Sequence, residues 1–392
     1  MANFMVLRNA AAVRTTSPFE SFGPEIAAAP AAPVPQVEVH DITSGEAANL
    51  ARDPQVAAVA IPMPTALIAP LDVAGAAANN AWGIPAVKAD TSSSTGDGVV
   101  VAVLDTGIDK THPAFAGVNI VEQDFSGSGN GDVVGHGTHC AGTIFGRDVD
   151  GTRIGIAPGV KKALIGKVLG NTGGGSSEMI FRGIQWALDQ GAHVISMSLG
   201  FDFPGAVARA QAMGIPAQPA VSNALEAYRS NLRFFDALMA MVEAQAAFRD
   251  TAVLVAAAGN ESKRNANPAY TIAVSLPAAS RGVVSVAALG QGAGGQFDVA
   301  PFSNNRAQVA GPGVNILSAK VGGGLRTMSG TSMATPHVAG VAALWWEALR
   351  KSQVRATASL VAANLLTHAR TDVLVPGLTN DDRGAGMVTA PQ

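Results

Sequence analysis

An α/β fold built on a parallel, doubly wound sheet with helices on both faces is what this chain predicts, and three observations carry the prediction. From about residue 82 onward, short apolar runs that end in Gly or Asn alternate with amphipathic helical stretches. Glycine (44 residues) and alanine are abundant while aromatic residues make up only 5% of the chain, which suits helices packed closely on a parallel sheet better than an aromatic-filled sandwich. The polar residues of these segments gather where the strands end, the side of such sheets on which chemistry collects.

The strands are read from five runs: residues 98–107 (GVVVAVLDTG), 161–170 (KKALIGKVLG), 192–200 (AHVISMSLG), 251–260 (TAVLVAAAGN) and 282–290 (GVVSVAALG). They are short, apolar or β-branched, and closed by turn residues, as buried parallel strands should be. Between two of them, residues 176–191 place Met179, Ile180, Ile184 and Leu188 on one helical face, and Gly191 ends the helix. Strand, helix, strand in that order implies right-handed crossovers. Residues 201–250 interrupt the alternation as an insertion. Within it, residues 222–248 carry Leu225, Tyr228, Leu232, Phe235, Met239 and Val242 at helical spacing, with Ser222 as the expected cap. That periodicity fits a surface helix packed on the body, with a substrate-restricting lid as the alternative.

Residues 1 to about 75 follow another pattern. Candidate strands at 3–9, 36–42 and 56–63 flank a Pro/Ala-rich linker at 24–36 and a short helix that Ser44 would cap and that stops before Pro54. This is a small α+β unit. A second linker, residues 70–80, separates it from the main body.

With 392 residues, 48% hydrophobic and 14% charged, the chain can bury a large core, enough for one big domain and a smaller one. A net charge of -3 offers no basic face, so neither nucleic acid nor a membrane surface is expected as a partner. Cys140 stands alone, so no internal disulfide staples the fold. The first twenty residues, with Arg8 and Arg14, hold no apolar core of a secretion signal, and no later stretch reaches the roughly 18 apolar residues of a span. The expectation is a cytoplasmic protein or one exported by a non-Sec route, or a secreted one whose signal has been removed.

Three segments make sense together. VAVLDTGID places Asp105 at the end of a buried strand, where a carboxylate is costly unless paired. GHGTHCAGT offers His136 in a glycine-rich turn that enters a helix. GTSMATPHVAG puts Ser332 at a helix start, where the dipole favours developing negative charge. A serine hydroxyl is a weak nucleophile until an imidazole takes its proton, and the imidazole needs a carboxylate to fix its tautomer and stabilise its cation. Each residue alone has an ordinary reading as a cap or turn residue. Pro336 has no N–H to return to the carbonyl of Ser332, so the first helical turn should be distorted beside that serine.

In the order Asp, His, Ser, these blocks resemble the three signature blocks of the subtilisin-like serine protease family. The resemblance covers roughly residues 82–350 and implies a triad of Asp105, His136 and Ser332, with His139 and His337 as structural histidines. It further implies that Asn260, in AAAGNES, donates its amide to the oxyanion beside the Ser332 N–H. Segments 170–178, with Gly173, Gly174 and Gly175, and 196–200 are similar to the family's two edge segments that sandwich an extended substrate. Ser198, Leu199 and Gly200 with Ala257, Ala258 and Gly259 would wall the first specificity pocket, favouring an apolar or medium-sized side chain. The small N-terminal unit looks like the family's propeptide, an intramolecular chaperone and inhibitor, with self-cleavage expected within residues 64–80 and a catalytic domain over 82–392.

The implied function is a self-maturing serine endopeptidase acting on extended polypeptides; the alternative is a catalytically silent scaffold on the same fold. No cofactor is required for the chemistry. Many relatives hold structural calcium, but the acidic ligand that follows His-Pro in them is Ala114 here, leaving Asp148 and Asp150 as weak candidates. Cys140 is expected to be buried and, if close to His136, to make the site sensitive to mercurials.

Overall fold

The computed structural model describes residues 2–10, 33–71 and 81–392, so most of the two linkers read from the sequence lies outside the described residues. The N-terminal segment forms β1 (Ala2–Asn9), β2 (Pro35–Ile42), α1 (Ser44–Leu50) and β3 (Val56–Ala60), and then sends out a separate strand, β4 (Pro64–Leu67). β1 lies between β2 and β3, antiparallel to both. The cap of α1 is Thr43, not Ser44. Thr43 accepts from the Glu46 N–H while the Glu46 carboxylate accepts from the Thr43 N–H, a reciprocal box that fixes the helix one residue earlier than expected.

The main body continues through α2 (Gly83–Ala86), β5 (Val100–Asp105), β6 (Asn119–Asp124), α3 (His136–Phe145), β7 (Lys162–Lys167), β8 (Gly174–Ser176), α4 (Ser177–Asp189), β9 (Val194–Met197) and β10 (Leu199–Phe201). The insertion supplies α5 (Phe203–Ala212) and α6 (Ala217–Gln245). After it come β11 (Val253–Ala257), β12 (Val283–Gln291), β13 (Phe297–Val299), β14 (Val309–Pro312), β15 (Ile316–Ala319), β16 (Leu325–Met328), α7 (Thr331–Lys351), α8 (Ala358–Thr367) and α9 (Asn380–Arg383).

Eight strands form the central sheet in the order β13-β12-β11-β9-β5-β7-β6, with β14 also paired to β12. Every pairing is parallel except that of β13. β9 and β11 are buried along their whole length, as a sheet covered on both faces requires. One face carries α3 and α7, whose residues share a core with Val101, Val103, Val255 and Val286. The other carries α4 and α6 over Ala102, Leu104, Ile195 and Leu254, and this second core also takes in Met5, Leu7, Ala60 and Met63 of the N-terminal segment. The doubly wound sheet expected from the sequence is therefore present.

Two expectations need correction. The run 192–200 is not one strand: β9 ends at Met197, and the chain turns at Ser198 so that β10 pairs with β4 rather than with the central sheet. The insertion helix begins at Ala217 behind Pro216, five residues before Ser222, because Pro fits the edge of a helix without needing a donated N–H. The same helix is more than a surface cover. Phe234 and Phe235 are fully buried, each with its ring 4.3 Å from that of Phe181 on α4. Asn231 Nδ2 also donates to the Ile61 carbonyl at 2.8 Å, tying α6 to the N-terminal segment.

Because Phe181 is the ring both insertion phenylalanines meet, Phe181→Ala should lower stability by about 3–5 kcal/mol. Leu225→Ala, on the exposed side of α6, should stay within about 0.5 kcal/mol. Thermal or denaturant unfolding compares the two; equal small effects would place the insertion outside the core.

Candidate active site

Asp105 is the last residue of β5 and is completely buried. Its Oδ1 accepts from the Thr106 N–H at 2.7 Å and faces His136 Nδ1 at 2.8 Å, so the imidazole has its Nδ1 side fixed toward the carboxylate. Burial alone would disfavour the imidazolium, but the adjacent carboxylate outweighs it and holds the His136 pKa well above the usual histidine value of 6.5. His136 opens α3 behind Gly135, which adopts a left-handed conformation. Gly137 follows at a place where any Cβ would collide with the Gly107 carbonyl, so α3 can approach the end of β5 only through glycine.

The position of α3 also depends on a residue that the sequence reading missed. Asp132 accepts from Thr106 Oγ1 (2.9 Å), from the N–H groups of Val134, Gly135 and Thr138, and from Thr138 Oγ1 (2.7 Å). One carboxylate thus joins the turn after β5 to the first turn of α3. An acidic residue four positions before the helix start was the available signal.

Ser332 lies in the first turn of α7 and is fully buried. Its Oγ donates to the Ile68 carbonyl at 3.0 Å and lies 3.3 Å from the Ser198 carbonyl, whereas His136 Nε2 is buried without a hydrogen-bond partner. Pro336 withholds its N–H from the Ser332 carbonyl, as expected, and that carbonyl accepts instead from Ser198 Oγ (3.0 Å) and Cys140 Sγ (3.5 Å). Cys140 is buried, 3.8 Å from His136 Nδ1, and burial pushes its thiol up.

His139 and His337 are structural. Each is buried against backbone carbonyls, Ile316 and Arg326 for His139 and Met333 for His337, and burial lowers their pKa values to about 3 and about 4.

Asn260 follows β11, and its amide orientation is set by α7. Oδ1 accepts from both the N–H and the hydroxyl of Thr331, each at 2.9 Å, which leaves Nδ2 to donate to the Ala69 carbonyl at 3.1 Å. Gly259 donates its N–H to the Thr331 hydroxyl, completing the lock.

The cleft beside these groups is occupied by β4. It is antiparallel to β10 on one side and to β8 on the other: Ala66 stands opposite Gly200 and Gly174, and Thr65 opposite Phe201 and Gly175. Leu67 donates its N–H to the Gly173 carbonyl at 2.8 Å, and past the site Leu71 donates to the Ser329 carbonyl at 2.8 Å. A Cβ on Gly175 would press on the Val168 carbonyl and Thr65 Oγ1, so that strand needs glycine there.

The pocket wall read from the sequence is only partly found. Gly200 lines the cavity beside Ile68, but Ser198 is spent on the Ser332 carbonyl, and Leu199, Ala257 and Ala258 are turned into the interior. Gly259 packs against Asn304 and Glu261. Residues from the insertion and from 272–275 complete the wall instead.

Asp148 and Asp150 are both exposed. Among the described residues, the group of three metal-binding side chains that comes together is Asp105, His136 and Cys140. Two solvated carboxylates fall short of the six to eight oxygen ligands of a calcium cage, so calcium does not fit that loop. No helix among the described residues is long and apolar enough to cross a membrane.

The family model for the subtilase family of peptidases matches residues 96–387. Subtilisin DY of Bacillus licheniformis is 34% identical over 292 residues, which cover 72% of this chain and 92% of that one. M-protease of Shouchella clausii is 35% identical over 67% of this chain and 58% of its own, and subtilisin Savinase of Lederbergia lenta is 34% identical over 67% and 82%. With the family's match extending over most of the chain and the sheet organised as described, the chain belongs to the subtilase family: it is a subtilisin-like serine endopeptidase, a hydrolase of polypeptides.

Proposed function

We propose that this endopeptidase works through Ser332, His136 and Asp105, and that residues 1–75 are its propeptide, removed by self-cleavage. The observation that carries the reading is β4: a stretch of the protein's own chain lies antiparallel between β8 and β10 and crosses Ser332 and Asn260, where an extended substrate would lie.

In the reaction, His136 Nε2 takes the Ser332 hydroxyl proton as Oγ attacks the substrate carbonyl carbon. Asp105 holds the Nδ1 side and stabilises the imidazolium. The oxyanion meets Asn260 Nδ2 and the Ser332 N–H, which belongs to the first turn of α7 and so has no carbonyl one turn earlier in the helix. His136 then protonates the leaving amine, and water releases the acyl group by the same steps. No step calls for a metal or a cofactor.

The bound segment is not arranged for attack. Ser332 Oγ meets the carbonyl of Ile68 while Asn260 Nδ2 meets that of Ala69. Successive carbonyls of an extended chain point opposite ways, and catalysis needs nucleophile and donor on the same one. The segment therefore inhibits until it shifts by one carbonyl, and the bond after Ile68 is then the one cut. The compartment in which this happens we propose to be reached without a Sec signal, or with one since removed.

Intact-mass spectrometry of the purified protein beside Ser332→Ala, with and without a fluorophosphonate, tests the reading. The wild type should lose residues 1–68 and gain one adduct; the variant should stay full length and unlabelled. Both remaining full length and unlabelled would sink it.

Asn260→Ala should lower kcat about 10²–10³-fold with KM near its wild-type value; an effect confined to KM would remove Asn260 from the oxyanion site.

In the Ser332→Ala chain, the His136 imidazole followed by NMR should titrate above 6.5, and Asp105→Asn should bring it below, because burial is then unopposed. Since only neutral imidazole accepts the serine proton, kcat/KM of the matured enzyme should rise with pH through that elevated value. A His136 titration unchanged by Asp105→Asn would contradict the pairing.

A further inference from the structure

We infer that the insertion helices α5 and α6 form the outer wall of the pocket that takes the side chain preceding the cleaved bond, and that this wall makes the enzyme prefer a large aromatic side chain there. The inference rests on the reading of β4 as a substrate-like strand.

Three observations support it. Ile68 is the β4 residue whose carbonyl meets Ser332 Oγ, and its side chain points at Gly200: both Ile68 Cγ1 and Cδ1 lie 3.5 Å from where a Gly200 Cβ would stand, as does Ser275 Oγ. Ile68 does not fill the space it enters, because a cavity of about 720 Å³ continues past it. Pockets of about 300–1,000 Å³ hold whole small ligands, so one aromatic side chain fits with room left.

The far wall of that cavity is Phe203 of α5 with Leu225 and Tyr228 of α6, facing Ile272, Val274 and Ser275. Phe203 and Tyr228 brace one another edge-on, with ring centroids 6.2 Å apart and planes at 88°. The Tyr228 hydroxyl is hydrogen-bonded to the Leu276 carbonyl, next to Ser275. Leu225 is 48% exposed and stands at the mouth, a large apolar side chain that the core does not use.

Two carboxylates also border the cavity, and both are engaged. Asp202 accepts the Gly205 N–H and pairs with Arg209, and Glu261 accepts from Asn304 Nδ2 at 2.6 Å. A ring entering this space would bury roughly 150–250 Å² against an aromatic and aliphatic wall. The notebook of small residues on β10 and β11 alone would have suited only a medium-sized side chain; the insertion changes the size class.

The test compares matured wild type with Leu225→Trp, which fills the cavity from an exposed position. The substrates are peptides of sequence Thr-Ala-Leu-X, with X Ala, Phe or Arg, carrying a chromogenic leaving group. Wild type should favour Phe over Ala and Arg in kcat/KM by about tenfold or more. Leu225→Trp should remove that preference while leaving the Ala peptide within about threefold.

A Phe:Ala ratio that Leu225→Trp does not change, or an Arg peptide cleaved best, overturns this inference alone. A wild type that cleaves no peptide and takes no fluorophosphonate overturns the catalytic reading beneath it.

A second measurement needs no activity. In the Ser332→Ala full-length chain, Ile68→Phe should raise Tm by about 2 °C or more, since the added ring has space and apolar partners. A fall in Tm, the usual result of overpacking, would show that the pocket is closed.

Discussion

The site depends on the parallel register of three neighbouring strands. Leu104 of β5, Met197 of β9 and Ala256 of β11 stand in one row across the sheet. The residues that follow this row leave the sheet at a common level: Asp105 to meet the imidazole, Ser198 to turn the chain into β10, and the 258–260 loop to carry Asn260. A slip of one residue would send each of these side chains to the opposite face. Both faces of the sheet are filled with distinct apolar sets, so such a slip is opposed along every strand.

On that frame the polar groups are held by few but interlocking bonds. Thr331 orients Asn260, Asp132 joins the β5 turn to α3, and the Ser332 carbonyl freed by Pro336 is taken up by Ser198 and Cys140. Each bond ties an element of one strand end to another element. The result is a donor array whose directions are set before any chain enters the cleft, which is how oriented dipoles favour a developing charge without reorganising.

Much of this was legible in the sequence because it is written locally. Apolar runs closed by Gly or Asn mark parallel strands, and the three blocks around Asp105, His136 and Ser332 carry turn residues whose placement has a mechanical reason. What was not legible depends on long-range pairing. That Ser198 ends one strand and starts another follows from β4 arriving from more than a hundred residues away to pair with Leu199–Phe201. That Leu225 and Tyr228 face a cavity, while Phe234 and Phe235 seal a core, depends on where α6 lies against α4, and helical periodicity alone does not contain that information. The cap of α1 was misplaced by one residue because Thr43 and Ser44 are both good caps, and only the position of Glu46 separates them.

β4 and the β1–β3 sheet belong to the same covalent chain as the cleft, and this has a kinetic consequence. While the chain is continuous, an incoming peptide competes with a tethered strand whose effective concentration is of the order of millimolar, whatever the dilution of the protein. Once the bond in the cleft is cut, the released segment has to compete at its own bulk concentration, and dilution begins to favour the open enzyme. The continuity of the backbone between Leu67 and Leu71, rather than any one hydrogen bond of β4, is then what separates a state indifferent to concentration from one governed by it.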